Sequence, residues 1–263
     1  MTIAFPSFAR SRLPHAWDLL MVLLRTELKL RYRGTSLGIL WSLANPIAFA
    51  LVLNIAFQHV LKMQIDHYAL FILSGLFPWQ WFTNSLGPGC AVFVNNASLI
   101  KKLPFPRFAL CGAVVLGDFV HFLSCLPVLV GLVLWEGTPF DPIVWLIGVP
   151  LVLAIQTVLV MALVTTLACV NAYLRDLEQL VRVLLLLLFY ITPVLYPYSM
   201  IPAHLTWIVY VNPLAPIIVS WRALALDGVI SPWIAVAALQ TLVFSLLALV
   251  FYRRLAGRLA EVV

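Results

Sequence analysis

Residues 143–173 read IVWLIGVPLVLAIQTVLVMALVTTLACVNAY and contain no Asp, Glu, Lys or Arg. A helix needs about 20 predominantly apolar residues to cross the hydrocarbon core of a bilayer, and this stretch is longer than that. Helices of soluble domains carry a polar face toward water, which an uncharged run of this length lacks. The stretch therefore predicts a membrane-spanning helix and, with it, an integral membrane protein.

The composition of the whole chain supports the same class. Of its 263 residues, 63% are hydrophobic and 10% are charged, and the mean hydropathy is +1.05. Soluble domains average about 45–50% apolar and about 25% charged residues. Sixteen basic and ten acidic side chains are too few to form a polar shell around a soluble fold of this size. The same numbers exclude intrinsic disorder.

Six stretches of the chain are candidate membrane spans, of which the fifth, at residues 181–195, is short. We predict an all-α integral membrane protein in which six transmembrane helices form a single transmembrane domain over residues 1–263. The predicted spans cover residues 37–61, 68–94, 108–135, 143–173, 181–195 and 233–252, preceded by residues 1–36 and followed by a tail at residues 253–263.

The distribution of basic residues favours six spans with both termini in the cytoplasm. Cytoplasmic loops of membrane proteins are enriched in Lys and Arg. With the N-terminus inside, 14 of the 16 basic residues fall in cytoplasmic segments, and only Lys62 and Arg222 fall outside. An odd number of spans would place Arg253, Arg254 and Arg258 outside and remove this asymmetry.

The segment before the first span has the pattern of an amphipathic interfacial helix. Apolar residues recur at helical spacing from Leu13 to Leu28, and Arg25, Lys29 and Arg33 form a basic stripe with i, i+4 spacing. A helix with one apolar and one basic face lies in the plane of the membrane surface. It would orient the chain there, or additionally form a platform for a cytoplasmic partner or for anionic membrane lipids.

The sequence lacks the P-loop motif for nucleotide binding and one common motif for hydrolysis. No G-x-x-x-x-G-K-[ST] occurs, which excludes binding of ATP by a P-loop, and H-E-x-x-H is also absent. Asp118 lies well inside a predicted span, with His121 one turn away. The two residues form either a local polar contact between helices or a proton relay or hydrolytic site. We expect the energy for any transport to come from another subunit.

Several local strings follow one another along the chain. They are residues 31–38 (RYRGTSLG) with 40–46, residues 74–79 (SGLFPW) with 82–86 (FTNSL), and residues 96–106, 171–176, 192–196 (TPVLY) and 212–214 (NPL). In this order, and with six spans, they resemble the membrane subunit of type-2 ABC exporters that move polysaccharides. These are the permeases for lipopolysaccharide O-antigen, capsule and teichoic acid. The resemblance extends over nearly the whole chain.

The resemblance implies a homodimer of permeases that associates with two copies of an ATP-binding subunit in the bacterial inner membrane. ATP and Mg²⁺ would be bound by those subunits, and this multi-pass chain would have no cofactor and no active site of its own. The substrate implied is a polysaccharide, often attached to a polyprenyl diphosphate or a phospholipid. Nucleic acid is not among the implied partners, although the net charge is +6.

The loop between the second and third spans is identified through the resemblance as a coupling helix. Asn96 or Ser98 is suited to begin a short helix, and prolines are suited to end it. An apolar anchor with a charged rim is typical of a protein interface, although the basic residues alone would also satisfy the positive-inside rule. The predicted contact residues are Leu99, Ile100, Lys101, Lys102, Pro104, Pro106 and Arg107.

Aromatic side chains are the predicted wall of the transport path. Sugar rings present C–H faces that pack on aromatic rings, and such stacking lets a polymer slide without a specific pocket. The same side chains could instead belong to the aromatic belt at span ends. The candidates are Trp41, Phe77, Trp79, Trp81, Phe82, Phe189, Tyr190, Tyr196 and Tyr198.

Charged residues near the predicted cytoplasmic side suggest two further sites. The basic residues at the level of the inner leaflet are Arg25, Lys29, Arg31 and Arg33. They are suited to a lipid diphosphate, because a guanidinium group donates paired hydrogen bonds to phosphate. In the short loop after the fourth span, Arg175 and Asp176 lie close in sequence to Glu178 and Arg182. An ion pair of Arg175 and Asp176, within the loop or between helices, is predicted to hold the fourth and fifth spans together. A direct contact with the ATPase is the alternative there.

The segment from Pro197 to about Ile230 is too broken by prolines to span a membrane and too apolar for an ordinary loop. Short re-entrant or surface helices fit it, since non-helical backbone at membrane depth must be shielded by protein. The resemblance implies an outer gate between the fifth and sixth spans. Arg222 and Asp227 are candidates for an ion pair within it.

Three other functions are compatible with parts of the sequence. A type-2 ABC exporter of a small molecule or lipid would share most of these features. An integral membrane enzyme acting on lipid-linked sugar through Asp118 and His121 would be expected to cluster acids and histidines at the membrane surface, and the sequence lacks such a cluster. A structural scaffold would not need the proline-rich outer segment.

Overall fold

The computed structural model describes residues 12–32, 44, 47–52, 55–56, 65–102 and 105–262. Every regular element in these ranges is a helix. The principal helices are α1 (Arg12–Tyr32), α2 (Tyr68–Cys90), α3 (Ala97–Lys102), α4 (Phe108–Glu136), α5 (Pro142–Asn171), α6 (Leu177–Ile191), α7 (Trp207–Val211), α8 (Ala215–Arg222) and α9 (Trp233–Leu255).

The predicted all-α membrane architecture is confirmed. Within the described part of the chain, α4, α5 and α9 are each long and apolar enough to cross a membrane. They correspond to the third, fourth and sixth predicted spans, while α2 and α6 correspond to the second and fifth. The first predicted span, at residues 37–61, lies mostly outside the described residues. Six spans and cytoplasmic termini therefore stay predictions.

Local chemistry explains two of the helix boundaries. α5 begins at Pro142 because the Asp141 carboxylate accepts a 2.8 Å hydrogen bond from the backbone N–H of Ile143, and proline suits the first helical position. α6 ends at Ile191 because proline at the second following position disfavours helical backbone for Thr192, which is extended. The helix is thus four residues shorter at its end than the predicted span at residues 181–195.

α5 is the centre of the bundle and packs against α9, α2 and α4. Small residues allow the closest of these approaches. A Cβ on Gly89 of α2 would lie only 2.8 Å from a methyl group of Val164 on α5, so the two helices touch through this glycine. The fully buried side chains between the helices include Leu70, Phe93 and Leu159.

The amphipathic helix before the first span is present as α1 and packs along the first half of α4. Leu20 lies against Gly112, and Leu24 lies against Gly117. Arg25 and Lys29 are exposed on the opposite face. Leu20 and Leu24 therefore lie on a packed face as predicted, whereas Trp17 of the predicted apolar face is exposed. The position of α1 at a membrane surface stays a prediction.

Between α6 and α9 the chain forms a bent pair of helical segments. Ala203–Val211 and Ala215–Asp227 meet at an angle of 102°. By length and composition this pair is either a broken span or a re-entrant loop, and we call residues 203–227 the re-entrant hairpin for its bend. The prediction of short, broken helices in this part of the chain is confirmed, because prolines interrupt what would otherwise be a continuous apolar helix.

Candidate functional site: an aromatic groove beside a re-entrant hairpin

An open groove of about 330 Å³ lies between α2, α6 and the segment at residues 47–52. Its walls combine aromatic rings and leucines with two uncharged polar side chains. The lining residues are Phe49, Leu76, Trp79, Gln80, Thr83, Leu185, Leu186, Phe189 and Tyr190. Three of the nine aromatic residues predicted to line the transport path therefore meet in one groove.

The rings of the groove form a connected surface. The ring centroid of Phe189 lies 5.3 Å from that of Trp79, 5.5 Å from that of Tyr190 and 6.4 Å from that of Phe49. Thr83 donates its hydroxyl to the carbonyls of its own helix, so it adds no free donor. The surface can therefore stack against flat apolar faces, while Gln80 and the Tyr190 hydroxyl are further polar side-chain groups of the lining.

Three other aromatic candidates on α2 lie in the protein core. Phe77, Trp81 and Phe82 have at most 3% of their surface exposed. The ring of Trp81 packs between Phe119 and Phe122 of α4, with centroids 5.4 and 5.1 Å away. These rings stabilise the packing of helices and do not face the groove. Sequence spacing could not separate them, because both faces of α2 carry aromatic residues.

The remaining aromatic candidates lie elsewhere. The Tyr196 hydroxyl donates a 2.8 Å hydrogen bond to the carbonyl of Ile191 at the end of α6. The Tyr198 ring packs edge-on against Trp233, at 5.0 Å between centroids. Trp41 lies outside the described residues.

Two buried polar side chains, which the sequence interpretation missed, attach the re-entrant hairpin to the bundle. Gln156 of α5 donates to the carbonyl of Pro78 and accepts from the indole of Trp221, both at 3.0 Å. Thr138 donates a 3.1 Å hydrogen bond to the carbonyl of Ala225. Gln156 could have been noticed as a lone amide in the middle of an uncharged span, since such residues need partners.

The turn of the hairpin is also attached to the end of α6. Asn212 donates a 2.7 Å hydrogen bond to the hydroxyl of Thr192 and accepts one from the N–H of Leu214. Arg222 does not form the predicted ion pair with Asp227. Its guanidinium group donates instead to backbone carbonyls just beyond α6. The predicted pair relied on sequence separation, whereas Arg222 points away from its own segment.

A short helix, α3, lies where the coupling helix was predicted, with part of the predicted contact surface turned inward, and its coupling role stays a prediction. Ile100 is buried and Leu99 packs against the core, whereas Ser98, Lys101 and Lys102 are exposed. The short C-terminal helix Leu259–Val262 lies beside α3. Pro106 and Arg107, which lead into α4, are half-buried, and Pro104 lies outside the described residues. The exposed face of α3 is thus polar and basic.

The contacts that hold the loop between α5 and α6 do not include the predicted ion pair of Arg175 with Asp176. Arg175 and Asp176 are both exposed, and neither belongs to an ion pair found in the described part of the chain. The pair that forms joins Arg182 to Glu178 at 2.7 Å, one turn apart on α6. The buried Asn171 accepts a 3.1 Å hydrogen bond from the N–H of Glu178 and so connects the two helices.

The remaining predicted sites divide as follows. Arg25 and Lys29 are exposed on α1, Arg31 belongs to the last turn of that helix, and Arg33 lies outside the described residues. Asp118 is buried and accepts a 2.9 Å hydrogen bond from Ser85 of α2, as a polar contact between helices would.

The fold and the site together define a class of protein. Long apolar helices, a bent pair of helical segments whose second half is buried against the bundle, and a groove open to one side are typical of a polytopic membrane transporter. The comparison with known sequences agrees and is more specific: the ABC-2 type transporter family matches residues 18–226, and the chain belongs to this family. It is a multi-pass protein of the bacterial inner membrane and a transporter subunit, which overturns the alternative of a membrane enzyme.

Curated relatives are similar over most of the chain. The "O-antigen export system permease protein RfbA" of Klebsiella pneumoniae is 36% identical over 251 residues, which cover 95% of this chain and 96% of the relative. A protein of the same name in Myxococcus xanthus is 36% identical over 78% of this chain and 79% of its own. The "Polysialic acid transport protein KpsM" of Escherichia coli is 22% identical over 86% of this chain and 89% of its own.

Proposed function

We propose that the chain is the membrane subunit of an ATP-driven exporter that moves a lipid-linked polysaccharide through a path formed by two copies of the chain. The names of the relatives support the substrate class, and the family supports the ATP-driven mechanism. The observation that carries the proposal is the aromatic groove of Trp79, Phe189 and Tyr190. It offers a glycan a connected stacking surface.

A second copy of the chain would complete the path. The groove is open on one side, so another surface is needed to enclose a substrate. The outer face of α6 is rich in exposed apolar side chains, which are Leu180, Val183, Leu184, Leu187 and Ile191. Such a face is suited to another hydrophobic surface beside the groove, and a symmetric partner would supply the same residues twice.

The exposed face of α3 supports docking of an ATP-binding subunit. Ser98, Lys101 and Lys102 are exposed, while Ile100 fixes the helix to the core. A helix held in this way can transmit a push from a docked partner to α2 and α4, which it connects. ATP and Mg²⁺ would be bound by two copies of that partner, which has the P-loop that this chain lacks.

The anionic head group of a lipid-linked substrate would meet basic residues of α1 first. Arg25 and Lys29 are exposed on the face of α1 that points away from α4. Arg31 and Arg33 continue the same basic stretch in sequence. A diphosphate is attracted to such a stripe, because each nearby cation adds about 1 kcal/mol at a membrane surface. The re-entrant hairpin, at the other end of α6, is suited to the role of an outer gate.

Reconstitution tests the proposed function. The purified protein, together with the ATP-binding subunit that co-purifies with it, is placed in liposomes with a fluorescently labelled lipid-linked glycan. We expect the label to cross the membrane only when ATP and Mg²⁺ are supplied, and the double variant Phe189→Ala/Tyr190→Ala to slow this export. Equal export of the lipid without its glycan would instead support an exporter of small lipids.

A further inference from the structure

Arg222 ends α8 and lies inside the protein, with 7% of its surface exposed. Its Nη1 atom donates hydrogen bonds to the carbonyls of Pro193 and Tyr196, its Nη2 atom to that of Val194, and its Nε atom to that of Phe71. A guanidinium group has five N–H donors, and these contacts use four of them. Nearly all of its bonding capacity is therefore directed at backbone oxygens of two other elements.

The surroundings are shaped for a flat cation. The guanidinium carbon lies 3.7 Å from the ring centroid of Phe71, which adds a cation–π contact. One turn further along α2, a Cβ on Gly75 would lie 3.1 Å from Nη2 of Arg222 and 3.5 Å from the carbonyl oxygen of Val194. Glycine at this position leaves the space that the guanidinium group occupies.

The guanidinium group and the carbonyls depend on each other. The backbone at residues 193–196 follows the end of α6, so its carbonyls lack the partners that a continued helix would provide. The ion pairs found within the described ranges, His67–Glu136 and Arg182–Glu178, do not involve Arg222. A buried charge without partners is costly, and the carbonyls supply those partners here. Separating the hairpin from the end of α6 would leave both sides unsatisfied.

We propose that Arg222 is a positioning residue for transport, which latches the re-entrant hairpin to the end of α6 and to α2. The groove residues Phe189 and Tyr190 lie on α6, one to two turns before the latched segment. A displacement of α6 by a substrate in the groove is therefore passed to the hairpin, and the hairpin closes the outer end of the path when the groove is empty. This inference rests on the proposed function.

A leak assay in liposomes tests the latch. The protein and its ATP-binding subunit are reconstituted in vesicles that contain carboxyfluorescein, and release of the dye is followed without ATP. We expect Arg222→Gln to release dye about tenfold faster than the wild type, the change that corresponds to one lost hydrogen bond to a charged group. Arg222→Lys keeps the charge but loses the planar fork, so its release rate is expected to be intermediate.

Two further variants make the outcome decisive. Arg182→Gln removes an exposed arginine near the start of α6, and this variant is expected to retain dye like the wild type. Gly75→Ala keeps Arg222 but displaces its guanidinium group, and we expect a several-fold faster release per incorporated protein. If Arg222 had only a structural role, Arg222→Gln would have a lower melting temperature. Its rate of dye release per incorporated protein would then equal that of the wild type.

The result that overturns the latch is dye retention equal to wild type in both Arg222→Gln and Gly75→Ala. If Arg222→Gln does not accumulate in the membrane, Gly75→Ala decides alone, since a leak supports the latch and retention contradicts it. Failure of the wild-type protein to export glycan with ATP would refute the proposed function. Normal export by the wild type, together with tight vesicles for both Arg222→Gln and Gly75→Ala, would refute only the latch.

Discussion

The side-chain oxygen of Gln156 accepts a 3.0 Å hydrogen bond from the indole Nε1 of Trp221, and both side chains are almost fully buried. The amide nitrogen of the same glutamine donates to the carbonyl of Pro78. One side chain of α5 thus connects the re-entrant hairpin with α2. A buried polar network of this kind specifies one arrangement, because each group would be costly without its partner.

Replacing this amide should destabilise the hairpin contact. Gln156→Leu leaves the indole N–H of Trp221 without its acceptor, and we expect a loss of about 1–3 kcal/mol in the free energy of unfolding. The measurement is the melting temperature in detergent. Thr157→Val is the matched control, since the Thr157 hydroxyl bonds only the carbonyl of Leu153 in its own helix. Identical melting of the two variants would contradict the role of Gln156.

An aromatic residue in the groove and one in the core should respond differently to truncation. Phe189→Ala removes a half-exposed ring from the groove and is expected to slow export several-fold with little change in melting temperature. Trp81→Ala removes a ring packed in the core and is expected to lower the free energy of unfolding by about 3–5 kcal/mol. Export is measured per folded protein in liposomes. If only Trp81→Ala slowed export, the path would lie on the side of α2 that faces α4, and the groove assignment would be contradicted.

Charge reversal on α3 tests docking of the ATP-binding subunit. Lys101→Glu/Lys102→Glu changes two exposed cations, and we expect co-purification of the ATPase to fall several-fold while the permease stays folded. Arg182→Glu reverses an exposed cation at the predicted cytoplasmic end of α6 and serves as the control. The docking assignment fails if the control loses the ATPase as strongly as the α3 variant does.

The loop between α5 and α6 offers a comparison of a buried and an exposed contact. Asn171→Ala removes the acceptor for the N–H of Glu178, and we expect a cost of about 1–3 kcal/mol. Asp176→Asn changes an exposed carboxylate outside the ion pairs described above, and we expect an effect within about 0.5 kcal/mol. Thermal melting of both variants checks this order. A larger effect for Asp176→Asn would restore the predicted Arg175–Asp176 pair.

The positions of the helices were predictable, because span length and hydropathy follow from the thickness of a bilayer. The predicted stretches at residues 108–135, 143–173 and 233–252 agree closely with α4, α5 and α9. The broken hairpin was predictable from its prolines, since Pro202, Pro213 and Pro216 interrupt an apolar stretch. These properties are local, so they can be read without knowledge of the neighbours.

The partners of individual side chains were not predictable. Ile100 was expected at an interface and packs inward, while Arg222 was expected to pair with Asp227 and bonds carbonyls near Pro193 instead. Both outcomes depend on which helices lie beside the residue in space, and that arrangement is not encoded in local spacing. The groove shows the same effect, since Phe49 and Gln80 were missed while Trp81 was included.

The central claim is that the substrate passes along the groove of α2 and α6. A photo-crosslinking amino acid is introduced in place of Tyr190 in the groove or, as the control, in place of Leu146, which is exposed on α5. Vesicles are illuminated during ATP-driven export of a labelled lipid-linked glycan. The proposed path predicts that label is captured at position 190 and not at position 146. Capture at position 146 alone, or equal capture at both positions, would contradict it.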